Sequence, residues 1–190
     1  GDKDKLMARH SINDNSSVPS PTFPTEGNPA NYPARGRLQN TVVSYIRTFS
    51  SSQINELRVG YNRVHTRQTA PTYGKDYPQQ LGIPNVPQDV FPRINVAGVT
   101  SIGNERSRPA IARVSSFQLV DNFTFVKGKH YFKTGFDFRR SYSNNFGPTN
   151  PSGEFSFTAL QSGLLGQSST GEAFASFLLG DGSGFQFLPG

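Results

Sequence analysis

Three histidines, His10, His65 and His130, are the side chains that could hold a metal, and no cysteine stands ready to join them. Zinc sites draw their ligands from closely spaced residues, and no two of these histidines lie close in sequence. No metal and no cofactor is expected, and His130 is expected beside a tight turn. Glu56 and Asp137 share the polar strand face of Arg58 and Lys133, where contacts to a ligand are the lesser alternative. Ion pairs are the expected outcome there. Asp121 sits at an apolar position of its strand, where a hydrogen-bonded structural role is expected rather than a reactive one. The run Gly-Asp-Gly-Ser-Gly at 180–184 has the composition of a phosphate loop. It follows a helix-like segment instead of a strand, the wrong order for that chemistry. With no Ser/His/Asp set and no paired carboxylates, the chain is expected not to be an enzyme.

The composition says what these residues are mounted on. Only 34% of the 190 residues are hydrophobic, against nearly half in an ordinary globular domain. Yet Phe 16 and Tyr 7 are too many aromatics for a disordered tail. Aromatic, aliphatic-poor and glycine-rich is what alternating strands joined by polar loops produce. No apolar run approaches the length a membrane helix requires, whereas a β-barrel strand needs only about 9–11 residues with every second one apolar. The balance of 19 Lys+Arg over 13 Asp+Glu gives +6, but the cations are scattered, with no run longer than Arg139-Arg140. A solvated polar surface is expected from them, and no nucleic acid. The chain opens at Gly1 without a signal peptide, as expected of mature protein or, the reading favoured here, of a piece of a longer one.

The elements follow from the pattern. Lys5 to Asn13 alternates loosely as a strand. A loop from Asp14 to Gly36 carries Pro19, Pro21, Pro24, Pro29 and Pro33, which exclude helix and central strand. Arg37 to Phe49 is β-branched and unbroken, and Ile54 to Thr66 returns after a turn at 50–53. On the returning strand Leu57, Val59 and Tyr61 fall on one face, and Glu56, Arg58, Gly60 and Asn62 on the other. Pairing Phe49 with Ile54 would set Arg47 opposite Glu56 and Ile46 opposite Leu57. The register of 37–49 stays open, because Val42/Ile46 and Val43/Tyr45 compete for the apolar side.

A long connection, Gln68 to Ala112, has room for a small strand or hairpin at Ile94–Ile102. In Arg113–Ser143, Phe117, Leu119, Phe123 and Phe125 share a face, and beyond Gly128 so do Phe132, Phe136 and Phe138. Lys133, Gly135, Asp137 and Arg139 oppose the second row. A hairpin at 127–129, with Gly128 supplying a positive φ, matches the pleats and places both phenylalanine rows on the same side. One face aromatic and the other polar describes a wall between two solvents. Glu154–Thr158 begins a further strand, and Phe174, Phe177 and Leu178 carry helical spacing in a short helix ending at Gly180.

Four segments in order carry a family likeness: SSSQINELRVGYNR at 50–63, LGIPN at 81–85, FQLVDNFTFVKGKHYFKTGFDFRR at 117–140 and GEAFASFLLGDGSGF at 171–185. The chain resembles the Oar-like branch of TonB-dependent outer-membrane receptors. The resemblance implies a bacterial outer-membrane barrel of about 22 strands, of the plugged kind. The plug and any TonB-contacting segment would lie outside residues 1–190, which would form a partial barrel. Its partners would be outer-membrane lipid, the remaining barrel and plug, the TonB system through that plug, and a transported ligand of unspecified class. There is no Trp, so Phe and Tyr would form the aromatic girdles.

The expected fold is therefore all-β: an antiparallel meander of transmembrane barrel strands, a partial wall, with long external loops and a short helix near the C-terminus. Leu57, Val59, Tyr61, Phe117, Phe123, Phe125, Phe132, Phe136 and Phe138 are expected to face lipid. Glu56, Arg58, Asn62, Lys133, Asp137 and Arg139 are expected to line the lumen. The expected function is energy-coupled nutrient uptake. A secreted β-sandwich adhesin would give similar alternation, but its turns recur at regular short spacing, whereas here short turns alternate with long loops.

Overall fold

In the computed structural model, residues 3–29, 32–86, 89–105, 107–167 and 170–186 are described. In chain order they form β1 (Asp4–Ser17), β2 (Ala34–Ser50), β3 (Gln53–Gln68), α1 (Tyr77–Gln80), β4 (Arg93–Val96), β5 (Ala110–Lys127), β6 (His130–Phe146), β7 (Glu154–Phe157), α2 (Ala173–Leu179) and β8 (Gly184–Gln186). None of the described helices is long and apolar enough to cross a membrane. The chain divides into two compact units.

The first unit is built on a five-stranded sheet of order β1-β2-β3-β5-β6, an antiparallel meander. Its strands run from 14 to 18 residues, several more than the about 9–11 needed to span a bilayer. The β-branched and aromatic residues at alternate positions favour this pleated geometry. Two tight turns close the hairpins, at Ser51-Ser52 and Gly128-Lys129. Gly128 has φ 62, the left-handed value expected of it, which a residue with a Cβ adopts only at a cost.

Cross-strand contacts give the register. The Thr48 N–H donates to the Lys3 carbonyl (2.8 Å), His10 meets Thr41 (2.8 Å) and Arg37 meets Asp14 (2.7 Å). Even positions of β1 therefore share a face with odd positions of β2. Asn40 bonds Asn62, which joins even to even between β2 and β3. The Phe49 ring lies 6.3 Å from that of Phe123, so odd positions of β2 share a side with odd positions of β5. The faces of β2 therefore depart from those implied by the expected pairing of Phe49 with Ile54 and of Arg47 with Glu56. Arg47 instead lies 3.8 Å from Asp4, and Glu56 pairs with Arg58 along its own strand. Because the pleat has period two, a one-residue offset at the turn exchanges the faces of the whole strand. Val43 and Tyr45 are the residues that share the Phe49 side, which closes the choice the sequence left open.

The second unit takes Ser16–Ala34, Arg67–Ile111 and the chain from Phe146 onward. Its sheet has the order β4-β7-β8, with β4 and β7 parallel and β7 and β8 antiparallel. The strand expected from Glu154 is thus present, but it joins this small sheet rather than the long meander. Val96, Phe157 and Ala173 form its core, with Ile94, Phe155 and Phe177 packed around them. The Phe157 and Phe177 rings meet edge to face at 5.3 Å. This is the apolar face that the i, i+3, i+4 spacing of α2 buries, and α2 ends at Gly180 as expected. Ile94 and Ile102 exchange backbone hydrogen bonds of 2.8 and 3.0 Å, forming the small hairpin foreseen inside the long connection. Two elements escaped the sequence reading, α1 and β8, both too short for a periodic signal.

Polar groups knit the same unit. Glu154 is 3% exposed and lies 3.9 Å from Arg93, whose guanidinium also donates to Ser101. Tyr32 accepts a hydrogen bond from the Glu105 N–H, and Arg108 lies 5.5 Å over its ring. Burial pushes the Tyr32 phenol up to about 12.

Candidate membrane interface

Phe49, Phe123, Phe125, Phe132 and His130 form one connected row on the first unit. Phe49 meets Phe123, Phe123 lies 5.9 Å from Phe125, Phe125 stacks on Phe132 at 4.8 Å, and His130 lies 6.1 Å from Phe132. Offset and edge-on contacts of this kind are those favoured between aromatic rings. Phe117 reaches the same face by two-residue steps along β5, and Phe136 and Phe138 by such steps along β6. Leu57, Val59 and Tyr61 join it through Asn55, whose Nδ2 donates to Asp121 (2.7 Å) on the Phe123 side. Phe136 and Phe138 are 53% and 51% exposed, so the aromatic surface is bare.

The opposite face is polar. Gln118 donates from its amide to both Asp137 oxygens at 3.0 Å, which puts even positions of β5 with odd positions of β6. Gly60 faces the Gln118 Cβ, so Glu56, Arg58 and Asn62 lie on this side, with Lys133 four residues before Asp137 and Arg139 two residues after it. By two-residue steps from these contacts the acidic, basic and amide side chains of β3 and β6 stand on one face and the phenylalanine rows on the other. The sequence reading missed the first strand's share. Asp4 accepts from the Tyr45 hydroxyl at 2.6 Å, which brings Leu6, Ala8 and Ile12 of β1 onto the aromatic side. Their two-residue spacing was the available signal.

Gly135 sits on the polar face where β5 and β6 approach closely. A Cβ there would lie 2.0 Å from the Asp121 carbonyl oxygen, so the position admits only glycine without a backbone shift. Asp121, the misfit on the aromatic face, is satisfied by Asn55. The histidines stay apart: His10 bonds Thr41, and His130 packs near Phe132.

A sheet with one aromatic and one polar face is suited to separating hydrocarbon from water. Residues 1–189 match the family model of the outer membrane beta barrel domain. No curated protein and no solved structure matches the chain. The family places the protein in the bacterial outer membrane, in contact with its lipid. The chain belongs to the outer membrane beta barrel domain family.

Proposed function

We propose that the chain forms part of the wall of a TonB-dependent receptor of the Oar-like kind, whose closed barrel takes up a scarce nutrient with energy from the TonB system. The observation that carries this reading is the two-sidedness of the long sheet. The connected row from Phe49 to Phe132 faces lipid, together with Leu57, Val59, Tyr61, Phe117, Phe136 and Phe138. Glu56, Arg58, Asn62, Lys133, Asp137 and Arg139 line the lumen. The ordered motifs at 50–63, 81–85, 117–140 and 171–185 support the receptor assignment.

The edges of the sheet argue for a larger whole. Among the described residues β1 and β6 each have a strand neighbour on one side only, and unpaired backbone groups in lipid cost several kcal/mol each. Further strands therefore complete the barrel, and a plug within it makes the TonB contact. The chain's role is binding and passage rather than catalysis. A secreted sandwich adhesin is not favoured, since it would bury one face of this sheet under a second sheet.

Uptake in cells with and without TonB tests the receptor reading. Strains carrying the full-length protein should accumulate its nutrient only when TonB is present. Uptake that persists unchanged without TonB, in parallel with an intact barrel, would overturn energy coupling and leave a passive pore.

A further inference from the structure

Three arginines with no carboxylate partner gather at one end of the aromatic face. Arg63 lies two residues beyond Tyr61 on β3, Arg113 four residues before Phe117 on β5, and Arg140 two residues beyond Phe138 on β6. All three therefore keep the side of the sheet that carries the phenylalanines. A cleft of about 510 Å³ opens among Tyr61, Arg63, Arg113, Ser115, Tyr142 and Asn144. These residues stand at matching parity on three neighbouring strands. Arg140 stands beside the cleft, its guanidinium 4.7 Å over the ring of the lining residue Tyr142, and among the described residues no carboxylate pairs with it. Among the described residues the ion pairs go to Arg37, Arg47, Arg58, Lys75, Arg93 and Arg108, and to none of these three.

We propose that this cleft docks the phosphate of an anionic lipid in the outer leaflet. The proposal rests on the lipid-facing reading of the aromatic side. The guanidinium forks match phosphate oxygens in pairs of charge-assisted hydrogen bonds. The hydroxyls of Tyr61, Ser115 and Tyr142 add uncharged donors on the same cleft. Position selects the source of the phosphate. The cluster stands at the strand ends that lead to the long connections, opposite the tight turns at Ser51-Ser52 and Gly128-Lys129. In outer-membrane barrels long loops are external and short turns periplasmic. Toward the turns the same face becomes Leu57 and Val59 on β3, and Phe136 and Phe138 on β6. A lipid could lay its acyl chains on those residues while its headgroup reached the arginines. A free anion would gain nothing from that apolar floor.

The test uses the full-length protein folded into phosphatidylcholine vesicles doped with phosphatidic acid, with retained lipid read by native mass spectrometry. The wild type should keep phosphatidic acid in preference to phosphatidylcholine. Each surface arginine near an anionic lipid contributes about fivefold, so R63Q/R113Q/R140Q should weaken retention about a hundredfold. R58Q removes a cation from the opposite face and should leave retention unchanged. If the triple variant does not fold, Arg113→Gln alone should still give a measurable drop. Excess inorganic phosphate should not displace the lipid; displacement would overturn the lipid source. Quenching of a tryptophan introduced by Val59→Trp, using brominated acyl chains, reads the facing independently. Absence of quenching sinks the lipid-facing reading and the docking with it. Quenching together with full retention in the triple variant sinks the phosphate site alone.

Discussion

Asn55 donates a 2.7 Å hydrogen bond to the carboxylate of Asp121 across β3 and β5, on the face that otherwise carries Leu57, Val59, Phe123 and Phe125. Each of the two polar side chains is there because the other is. Losing one partner of a partly buried pair costs more than losing both, because the survivor keeps its desolvation cost without its bond. Asn55→Val should therefore destabilise the folded barrel by about 1–3 kcal/mol. The double variant Asn55→Val with Asp121→Leu should recover most of that loss. Urea unfolding of the full-length protein in vesicles checks it, and additive losses in the double variant would refute the coupling.

Phe136 is half-exposed on β6 and faces lipid in the proposed barrel. Phe136→Arg should cost about 2–4 kcal/mol where the site lies near the bilayer midplane. A polar-face substitution such as Lys133→Gln places no charge in lipid and should change stability little. Equal losses for the two variants in vesicle unfolding would count against the assignment of faces.

Gly135 stands on β6 close against the β5 backbone, where an added Cβ would meet the Asp121 carbonyl at 2.0 Å. Alternation alone ranks it with Lys133 and Asp137 as a tolerant polar-face position. The backbone distance reverses that expectation. Gly135→Ala should destabilise by about 1–3 kcal/mol, the usual penalty for overpacking, while Gly128→Ala strains only the turn. Unfolding midpoints of the two variants relative to wild type test the ranking of interior over turn.

The strands and both hairpin turns were legible because Phe117, Phe123 and Phe125, and then Phe132, Phe136 and Phe138, keep the strand period across the breaks at Asp121 and Thr134. The facing of β2 was not, since Val42, Val43, Tyr45 and Ile46 put apolar residues on both parities. Contacts that sequence does not display decided it: Asp4 with Tyr45 and Arg47, and Asn40 with Asn62. The loop unit was the least legible part. Its parallel pairing of Arg93–Val96 with Glu154–Phe157 joins segments far apart in the chain, and four-residue strands carry too few alternations to announce a partner. The Arg63, Arg113 and Arg140 cluster was hidden for the same reason, as the three lie on separate strands and form no run.

Glu154 and Arg93 form a charged link between β7 and β4, with Glu154 at 3% exposure and the pair 3.9 Å apart. Removing one member of such a pair leaves the other charge buried, which costs about 3–5 kcal/mol in favourable cases. Arg93→Leu should therefore loosen the β4-β7 sheet and raise amide exchange across residues 93–96 and 154–157. Hydrogen exchange in the strands of the first unit serves as the internal reference. Unchanged protection in both loop strands would refute a stabilising role for the pair.

Tyr32 gives the loop unit a pH dependence at the alkaline end. Burial raises its phenol from the ordinary 10 to about 12, so the folded unit holds the proton after the unfolded chain has released it. Stability then falls as pH rises from the ordinary phenol value through about 12, because the unfolded state binds fewer protons over that interval. Below it the preference for the neutral phenol is fully present. The loss is moderated by the part of the ring that reaches solvent, and no acid-side effect arises from this group. Tyrosinate absorbance should show one phenol titrating late, and the late component should vanish in Tyr32→Phe. Tyr32→Phe should also flatten the fall in stability above the ordinary phenol value, though it forfeits the bond from the Glu105 N–H and so starts lower. A late component that survives Tyr32→Phe would assign the shift to another tyrosine.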